Sequence, residues 1–288
     1  MQNRTIGGRQ VSAIGLGGMP MSIEGRPDRQ QSIETIHAAL EAGITLIDTA
    51  DAYCLGPGEV GHNEVLIAEA LRSYGSDTSH VLVATKGGHL RPGDGSWTQN
   101  GDPTYLKEAA KASAARLGVE AIGLYQYHRP DPRVPYAESI GALVELLDEG
   151  VIEMAGISNA SVAQIDEARG ILGDRLVSVQ NQFSPQFTSS LSELEHCAEL
   201  GIAFLPWSPL GGIRRAPQVG STQSVMSEIA LAREVSPYQV VLAWELSLAP
   251  VVIPIPGASK PASIIDSAAA ADLELDAAEV VRIENYLV

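Results

Sequence analysis

Ala42-Gly43-Ile44-Thr45-Leu46-Ile47-Asp48 is the stretch from which the fold of this chain is best read. Before it, residues 31–42 are amphipathic, with Ile33, Ile36, His37 and Leu40 spaced near the 3.6-residue helical period. Gly43 stands where a helix end needs a positive φ. Residues 44–47 then form a short apolar run, as expected of a parallel strand buried on both faces. An acid, Asp48, ends that run.

The same unit recurs along the chain. Apolar runs lie at residues 13–16, 44–47, 81–84, 122–127, 154–157, 176–179, 202–205 and 251–253. Segments of helical length between them include residues 31–42, 63–73, 103–117, 136–149 and 161–172. Gly118, Gly150, Gly173 and Gly201 each follow a helical run, as Gly43 does. Strands alternating with helices, without a linker-like break, predict one α/β domain over residues 1–288: a single (β/α)8 TIM barrel. Arg4-Thr5-Ile6, Gly7-Gly8 and Arg9-Gln10-Val11 predict an N-terminal β-hairpin that closes the barrel bottom. Gly15-Leu16-Gly17-Gly18 suggests an open dinucleotide-binding sheet instead. Its third glycine is misplaced, and Pro20 with a polar loop follows where a helix should start.

Bulk composition narrows the partners. Hydrophobic residues make up 45% of the 288, enough for a sizeable core, and the formal charge is −16. Such an acidic chain repels a phosphate backbone, which excludes nucleic acid as a partner. An anionic ligand must then be held by local positive charge or backbone N–H groups. Cys54 and Cys197 are far apart and read as reduced thiols. Neither a signal peptide nor a membrane span stands out, so a soluble cytoplasmic protein without a membrane partner is expected, a monomer or small homo-oligomer.

Active groups of such a barrel sit at the C-terminal ends of its strands. Those ends carry Asp48 with Tyr53 in the following loop, then Lys86, His128, Ser158-Asn159, Gln180 and Trp207-Ser208. The last strand leads into Pro256-Gly257-Ala258-Ser259-Lys260. Lys86, one of four lysines, ends the buried run Val81-Leu82-Val83-Ala84-Thr85. A buried ammonium is costly unless paired, and Asp48 on the neighbouring strand end is the natural partner. On its own this pair reads equally as a structural ion pair. Tyr53 is a poor acid at its ordinary pKa, and an adjacent ammonium is expected to lower that value. His128 is placed to orient a substrate carbonyl. Nothing in the pattern calls for a metal.

These residues resemble the aldo-keto reductase family over nearly the whole chain. Residues 42–53 look like its first signature, continued by Gly61-His62-Asn63-Glu64. Ala84-Thr85-Lys86, Tyr125-Gln126-Tyr127-His128, Gly156-Ile157-Ser158-Asn159 and Val179-Gln180-Asn181-Gln182 look like the landmarks that follow, in order. The resemblance implies reduction of an aldehyde or ketone by hydride from a reduced nicotinamide. Tyr53 would be the general acid, Lys86 and Asp48 would tune it, and His128 would orient the carbonyl. It further implies that Ser158, Asn159 and Gln180 hold the carboxamide and that Trp207 stacks on the nicotinamide. Gly18 and Met19 would lie beside the cofactor. Its phosphates would follow Ser208, Pro209, Leu210, Gly212, Arg214 and Arg215, then Gly257, Ser259, Lys260, Ser263, Asp266 and Ser267.

At that last segment the sequence departs from the pattern. Many relatives carry a basic residue where Ser263 stands, pairing the 2′-phosphate of NADPH, and Asn where Ser267 stands. Ser259 and Lys260 remain to grip that phosphate, so NADPH is expected over NADH.

Substrate contacts are expected from Tyr53, His128, Trp97 and Arg129, with Met19 and Met21 near the mouth. The long loops at residues 87–101 and 211–222 should set specificity. The run Gly17-Gly18-Met19-Pro20-Met21-Ser22 is similar to branches of the family that include pyridoxal reductases. Two other functions fit parts of the pattern. A Schiff-base aldolase would use Lys86 as its nucleophile. A non-catalytic NADPH sensor would resemble the potassium-channel β subunits.

Overall fold

The computed structural model describes residues 1–213, 215–216, 219 and 224–287. The hairpin forms as expected: β1 (Asn3–Ile6) pairs antiparallel with β2 (Arg9–Ser12) across Gly7-Gly8. Both glycines have positive φ, 54° and 83°, as a tight two-residue hairpin turn requires.

Among the described residues, seven parallel strands follow: β3 (Leu16–Gly17), β4 (Leu46–Asp48), β5 (Leu82–Gly87), β8 (Leu124–Tyr127), β9 (Ala155–Ser158), β10 (Leu176–Gln180) and β11 (Ala203–Phe204). Two short strands, β6 (His89–Leu90) and β7 (Thr98–Gln99), pair as a small hairpin inside the long loop after β5.

The expected eighth strand is a bridging segment rather than a regular ladder. Val252 pairs with Phe204, and Gly257 with Gly17, so the two edges of the sheet curl towards each other in the manner of a (β/α)8 barrel. The alternating Ile253-Pro254-Ile255-Pro256 explains the irregularity. Ile253 and Ile255 donate to the carbonyls of Phe204 and Pro206. On the other side, the carbonyls of Pro254 and Pro256 accept from Gly15 and Gly17 at 2.9 Å. Prolines have no N–H to return, so the seam with β3 carries only half of a ladder's bonds.

Helices alternate with these strands: α1 (Arg29–Glu41), α2 (His62–Ser73), α3 (Pro103–Leu117), α4 (Tyr136–Asp148), α5 (Val162–Leu172), α6 (Leu191–Leu200), α7 (Val225–Arg233), α8 (Pro237–Leu248), α9 (Pro261–Ala269) and α10 (Ala277–Leu287). Their ends follow local chemistry. Ser161 caps α5 in a reciprocal box with Gln164, and Gly118 ends α3 at φ 73°.

The period-two alternation of the strands divides the core. Leu46, Leu82, Ala84, Leu124, Ala203, Leu205, Ile253 and Ile255 pack together inside the sheet. Ile6 and Val11 of the hairpin join them, beside Val177 and Met154. Their neighbours Ile47, Tyr125, Val179, Phe204 and Val252 face outward onto the helices. This parity places the site: two residues beyond the apolar layer, Asp48, Lys86 and Gln126 must face inward too.

One buried group in the helical layer has no such purpose on view. Glu245 of α8 is fully buried, and neither carboxylate oxygen has a hydrogen-bond partner among the described residues. Burial pushes its carboxyl well above the usual range. Its neutral form is therefore the stable one in the fold. That contribution is complete below the unfolded pKa and is lost as pH rises towards the folded one, at about 1.4 kcal/mol per pH unit. Glu245→Gln should melt higher than the parent at pH 8, with the gap closing towards pH 5. Parallel melting profiles for the two proteins across that range would contradict this account.

Candidate active site

Lys86 is the last residue but one of the buried strand β5 and has no exposed surface, and Asp48 ends β4 beside it, 2% exposed. The ammonium spends its three donors on Asp48 Oδ2 at 2.6 Å, the Thr49 carbonyl at 2.7 Å and the Tyr53 hydroxyl at 3.3 Å. The other oxygen of Asp48 accepts from Gln180 Nε2 at 2.8 Å. Burial works against the Lys86 charge, but Asp48 and Tyr53 outweigh it and hold its pKa above the ordinary lysine value.

The Tyr53 loop is tied back to this centre. Asp51 N–H donates to the Lys86 carbonyl, and the Tyr53 ring lies beneath the ammonium, 5.1 Å from Nζ to its centroid. Its hydroxyl behaves differently from the sequence expectation. Burial raises the phenol pKa, and the Lys86 charge pulls it down without offsetting the rise, because Asp48 adds to it. Tyr53 is thus an acid that keeps its proton at neutral pH rather than one eased towards its anion.

His128 meets Tyr53 edge-on, with ring centroids 5.7 Å apart. Burial, with Lys86, His89 and Arg129 nearby, drives its pKa well below the ordinary histidine value, so the ring is neutral. Its buried Nδ1 has no partner among the described residues. A further ring was not anticipated from sequence. His89 packs against His128 at 4.8 Å and stacks on Trp97 at 4.8 Å, while the Arg91 guanidinium covers the other ring of that wall at 4.3 Å from Trp97. Burial, then the charges of Arg129 and Arg91, lowers His89 to about 4.

Next to Lys86 in the chain, Thr85 donates to Glu64 Oε1 at 2.6 Å, and Arg116 Nε donates to Oε2 at 2.5 Å. These bonds pin the residue before Lys86 from the outside. Glu64 stands in the quoted Gly61-His62-Asn63-Glu64, but its partner across the helices is invisible in sequence.

Tyr53, His128, Asp48, Trp97 and Arg129 line one cleft of about 550 Å³, which runs on past Ser158, Asn159, Gln180 and Trp207 to Ser208, Pro209, Leu210, Gly212, Met19 and Gly257. His89, Gln99 and Ile23 line it as well, unpredicted. Ser158 Oγ donates to the Gln180 carbonyl at 2.7 Å, and Asn159 Nδ2 to the His128 carbonyl at 3.0 Å. Asn159 and Ser208 hold positive φ, 56° and 54°, unusual for non-glycine residues and typical of strain kept at ligand sites. The Trp207 ring lines the cleft, and its Nε1 has no partner among the described residues. A Cβ on Gly17 would sit 2.8 Å from the Ile255 carbonyl. The strand end is therefore kept bare beside the cleft. A flat ring and its amide fit this arrangement.

Several expected residues lie elsewhere. Lys86 is sealed behind Tyr53 and does not line the cleft. Gly18 faces Asn63 and gives its N–H to the Asp48 carbonyl at 2.8 Å. Met21 is buried among the helices α1 and α2. Arg215, Ser259, Lys260, Ser263, Asp266 and Ser267 do not line it either. Asp266 is engaged by Ser236 and Gln239, and the Ser259 carbonyl by Gln31. Arg214 lies outside the described residues.

Comparison with known proteins gives the family of the chain. The family model described as the aldo/keto reductase family matches residues 13–287. The chain belongs to that family, and its class is that of an oxidoreductase working with a nicotinamide cofactor. It is 33% identical to an uncharacterised oxidoreductase of Schizosaccharomyces pombe, covering 97% of this chain and 88% of that one. It is 32% identical to pyridoxine 4-dehydrogenase of Escherichia coli (strain K12), over 94% and 93%. Among solved structures, an aldo-keto reductase from Klebsiella pneumoniae in complex with NADPH superposes with a TM-score of 0.81 at 25% identity, over 100% and 96%.

The ion pair itself makes a sharp prediction. Removing one member of a buried pair strands the other charge, at about 3–5 kcal/mol. Lys86→Met should lose stability on that scale in chemical denaturation, and Lys86→Met with Asp48→Leu should recover part of it. A single-variant loss below about 1 kcal/mol, the scale of an exposed pair, would show that the pair is not desolvated.

Proposed function

We propose that this protein reduces aldehydes or ketones to alcohols with NADPH, Tyr53 giving the proton to the carbonyl oxygen. The observation that carries this reading is the placement of the Tyr53 hydroxyl, 3.3 Å from a fully buried ammonium and beside the neutral His128, at the floor of a cleft walled by Trp207. The cofactor supplies the hydride. His128, neutral at working pH, donates a hydrogen bond to the carbonyl oxygen and orients it towards Tyr53. Tyr53 keeps its proton until that oxygen gains charge, then gives it up. Lys86 stabilises the phenolate that remains, and Asp48, anchored by Gln180, fixes Lys86.

Ser158, Asn159 and Gln180 would hold the carboxamide, with the Trp207 ring against the nicotinamide face. Backbone groups from Ser208 to Gly212, then Gly257, would follow the pyrophosphate. Arg214, Arg215, Ser259 and Lys260 would meet the 2′-phosphate, and Ser263, Asp266 and Ser267 the adenosine end. The N-terminal hairpin, whose Ile6 and Val11 pack into the inner layer, would close the floor of a single barrel domain.

The sealed position of Lys86 favours hydride transfer over Schiff-base chemistry. A Schiff-base lysine must reach a carbonyl, and Lys86 has no exposed surface and spends its donors on Asp48, Thr49 and Tyr53.

Tyr53→Phe should cut kcat on an aldehyde panel by at least about a hundredfold, the scale of general acid catalysis. NADPH affinity, read by tryptophan quenching, should stay within about twofold. Wild-type kcat in that variant would overturn the role of Tyr53, and tight NADPH binding without turnover in the parent would favour a sensor. Lys260→Ala should weaken NADPH more than NADH, and equal weakening of both would remove Lys260 from the phosphate site.

A further inference from the structure

Arg129 directly follows His128 and lines the same cleft as Tyr53, His89 and Trp97. Its guanidinium is half-buried. Its Nη2 makes one hydrogen bond, to the neutral amide oxygen of Asn159 at 3.2 Å, and its buried Nε has no partner among the described residues. No carboxylate among the described residues pairs with it.

The other charges of the cleft are accounted for. Asp48 is neutralised by Lys86, and Arg91, behind the Trp97 ring, is paired with Glu24. Arg129 therefore leaves an uncompensated positive charge in the cleft of a chain whose formal charge is −16. Burial lowers its pKa and the nearby Tyr53 works against that, while its charge adds to the lowering that burial imposes on His128 and His89. A guanidinium kept partly desolvated with a free donor matches a carboxylate, which accepts two parallel N–H bonds from such a fork. His89, neutral and with its Nδ1 buried and unpartnered, stands beside it as a second hydrogen-bonding group.

We propose that Arg129 recognises an oxyanion carried by the substrate, so that the preferred substrates are carbonyl compounds bearing a carboxylate on the same molecule. The inference rests on the carbonyl-reductase reading for the word substrate, but the anion site itself does not depend on turnover. A phosphate of the cofactor is the other source of the same chemistry. The substrate is favoured because Arg129 lies with Tyr53, His128 and His89, whereas the glycine-bearing loops expected to follow the phosphates start beyond Trp207.

The test uses an isosteric pair: 4-carboxybenzaldehyde against 4-carbamoylbenzaldehyde for turnover, and the corresponding benzyl alcohols with NADP⁺ for calorimetry. The parent should bind the charged alcohol at least tenfold tighter than the neutral one and favour the charged aldehyde in kcat/KM by a similar factor. Arg129→Met should erase both preferences, and Arg129→Lys should keep part of them. Equal affinities in the parent, or a preference that survives in Arg129→Met, would overturn the proposal. So would a variant that weakens NADP⁺ and both alcohols alike, which would assign Arg129 to the cofactor. Charge-selective binding of the alcohols without reduction of either aldehyde would leave the anion site standing and sink carbonyl reduction instead.

Discussion

An ammonium with no access to water sets the terms for this molecule. Lys86 lies near the end of a buried strand, and a charge there persists only if it is paired and fully hydrogen-bonded. Asp48, the Thr49 carbonyl and the Tyr53 hydroxyl meet that demand, each from the end of β4 or the loop that follows it. Parallel pairing brings the two strand ends together, with Asp48 beside Ala84 in register. The barrel-like curl, the inward parity of residues 48, 86 and 180, and the tie from Asp51 to the Lys86 carbonyl all serve one local requirement. The same bonds leave Tyr53 facing the cleft with its proton in place.

Electrostatics divides the site into two regions. Around Lys86 the ammonium and the Asp48 carboxylate match each other, while burial, then Glu64, pushes the nearby Asp51 carboxyl up to about 8. Elsewhere in the cleft the guanidinium of Arg129 has no carboxylate partner among the described residues, and the neutral His128 and His89 line the same cleft. Burial is what keeps His89 and His128 neutral, so the wall donates hydrogen bonds without adding further positive charge. An acidic protein gains selectivity from such a contrast, because its surface disfavours anions that one interior position accepts.

Much of this was legible in the sequence, because period and strand-end position are one-dimensional signals. The alternation of helix and strand, the hairpin turn at Gly7-Gly8, and the gathering of Asp48, Tyr53, Lys86 and His128 all follow from them. Other features depend on distances that no spacing reports. The eighth strand is broken by Pro254 and Pro256 on one side only, which requires knowing which neighbour each residue faces. Lys86 lowers the Tyr53 pKa as its charge must, but the depth of burial reverses the sum. His89 lies in a loop that the sequence marked only as long, and the hairpin of β6 and β7 is what turns it towards His128. Met21, close in sequence to Met19, points into the helical layer while Met19 lines the cleft, because one short turn separates their directions.

The proposed reaction moves a hydride to a carbonyl carbon while Tyr53 protonates its oxygen. Turnover of an aldehyde with NADPH carrying deuterium on the reactive face of C4, analysed by mass spectrometry and NMR of the alcohol, tests it directly. One deuterium, bound to the carbinol carbon, is the expected result. An alcohol free of deuterium, or substrate carbon trapped on Lys86 by borohydride, would contradict it.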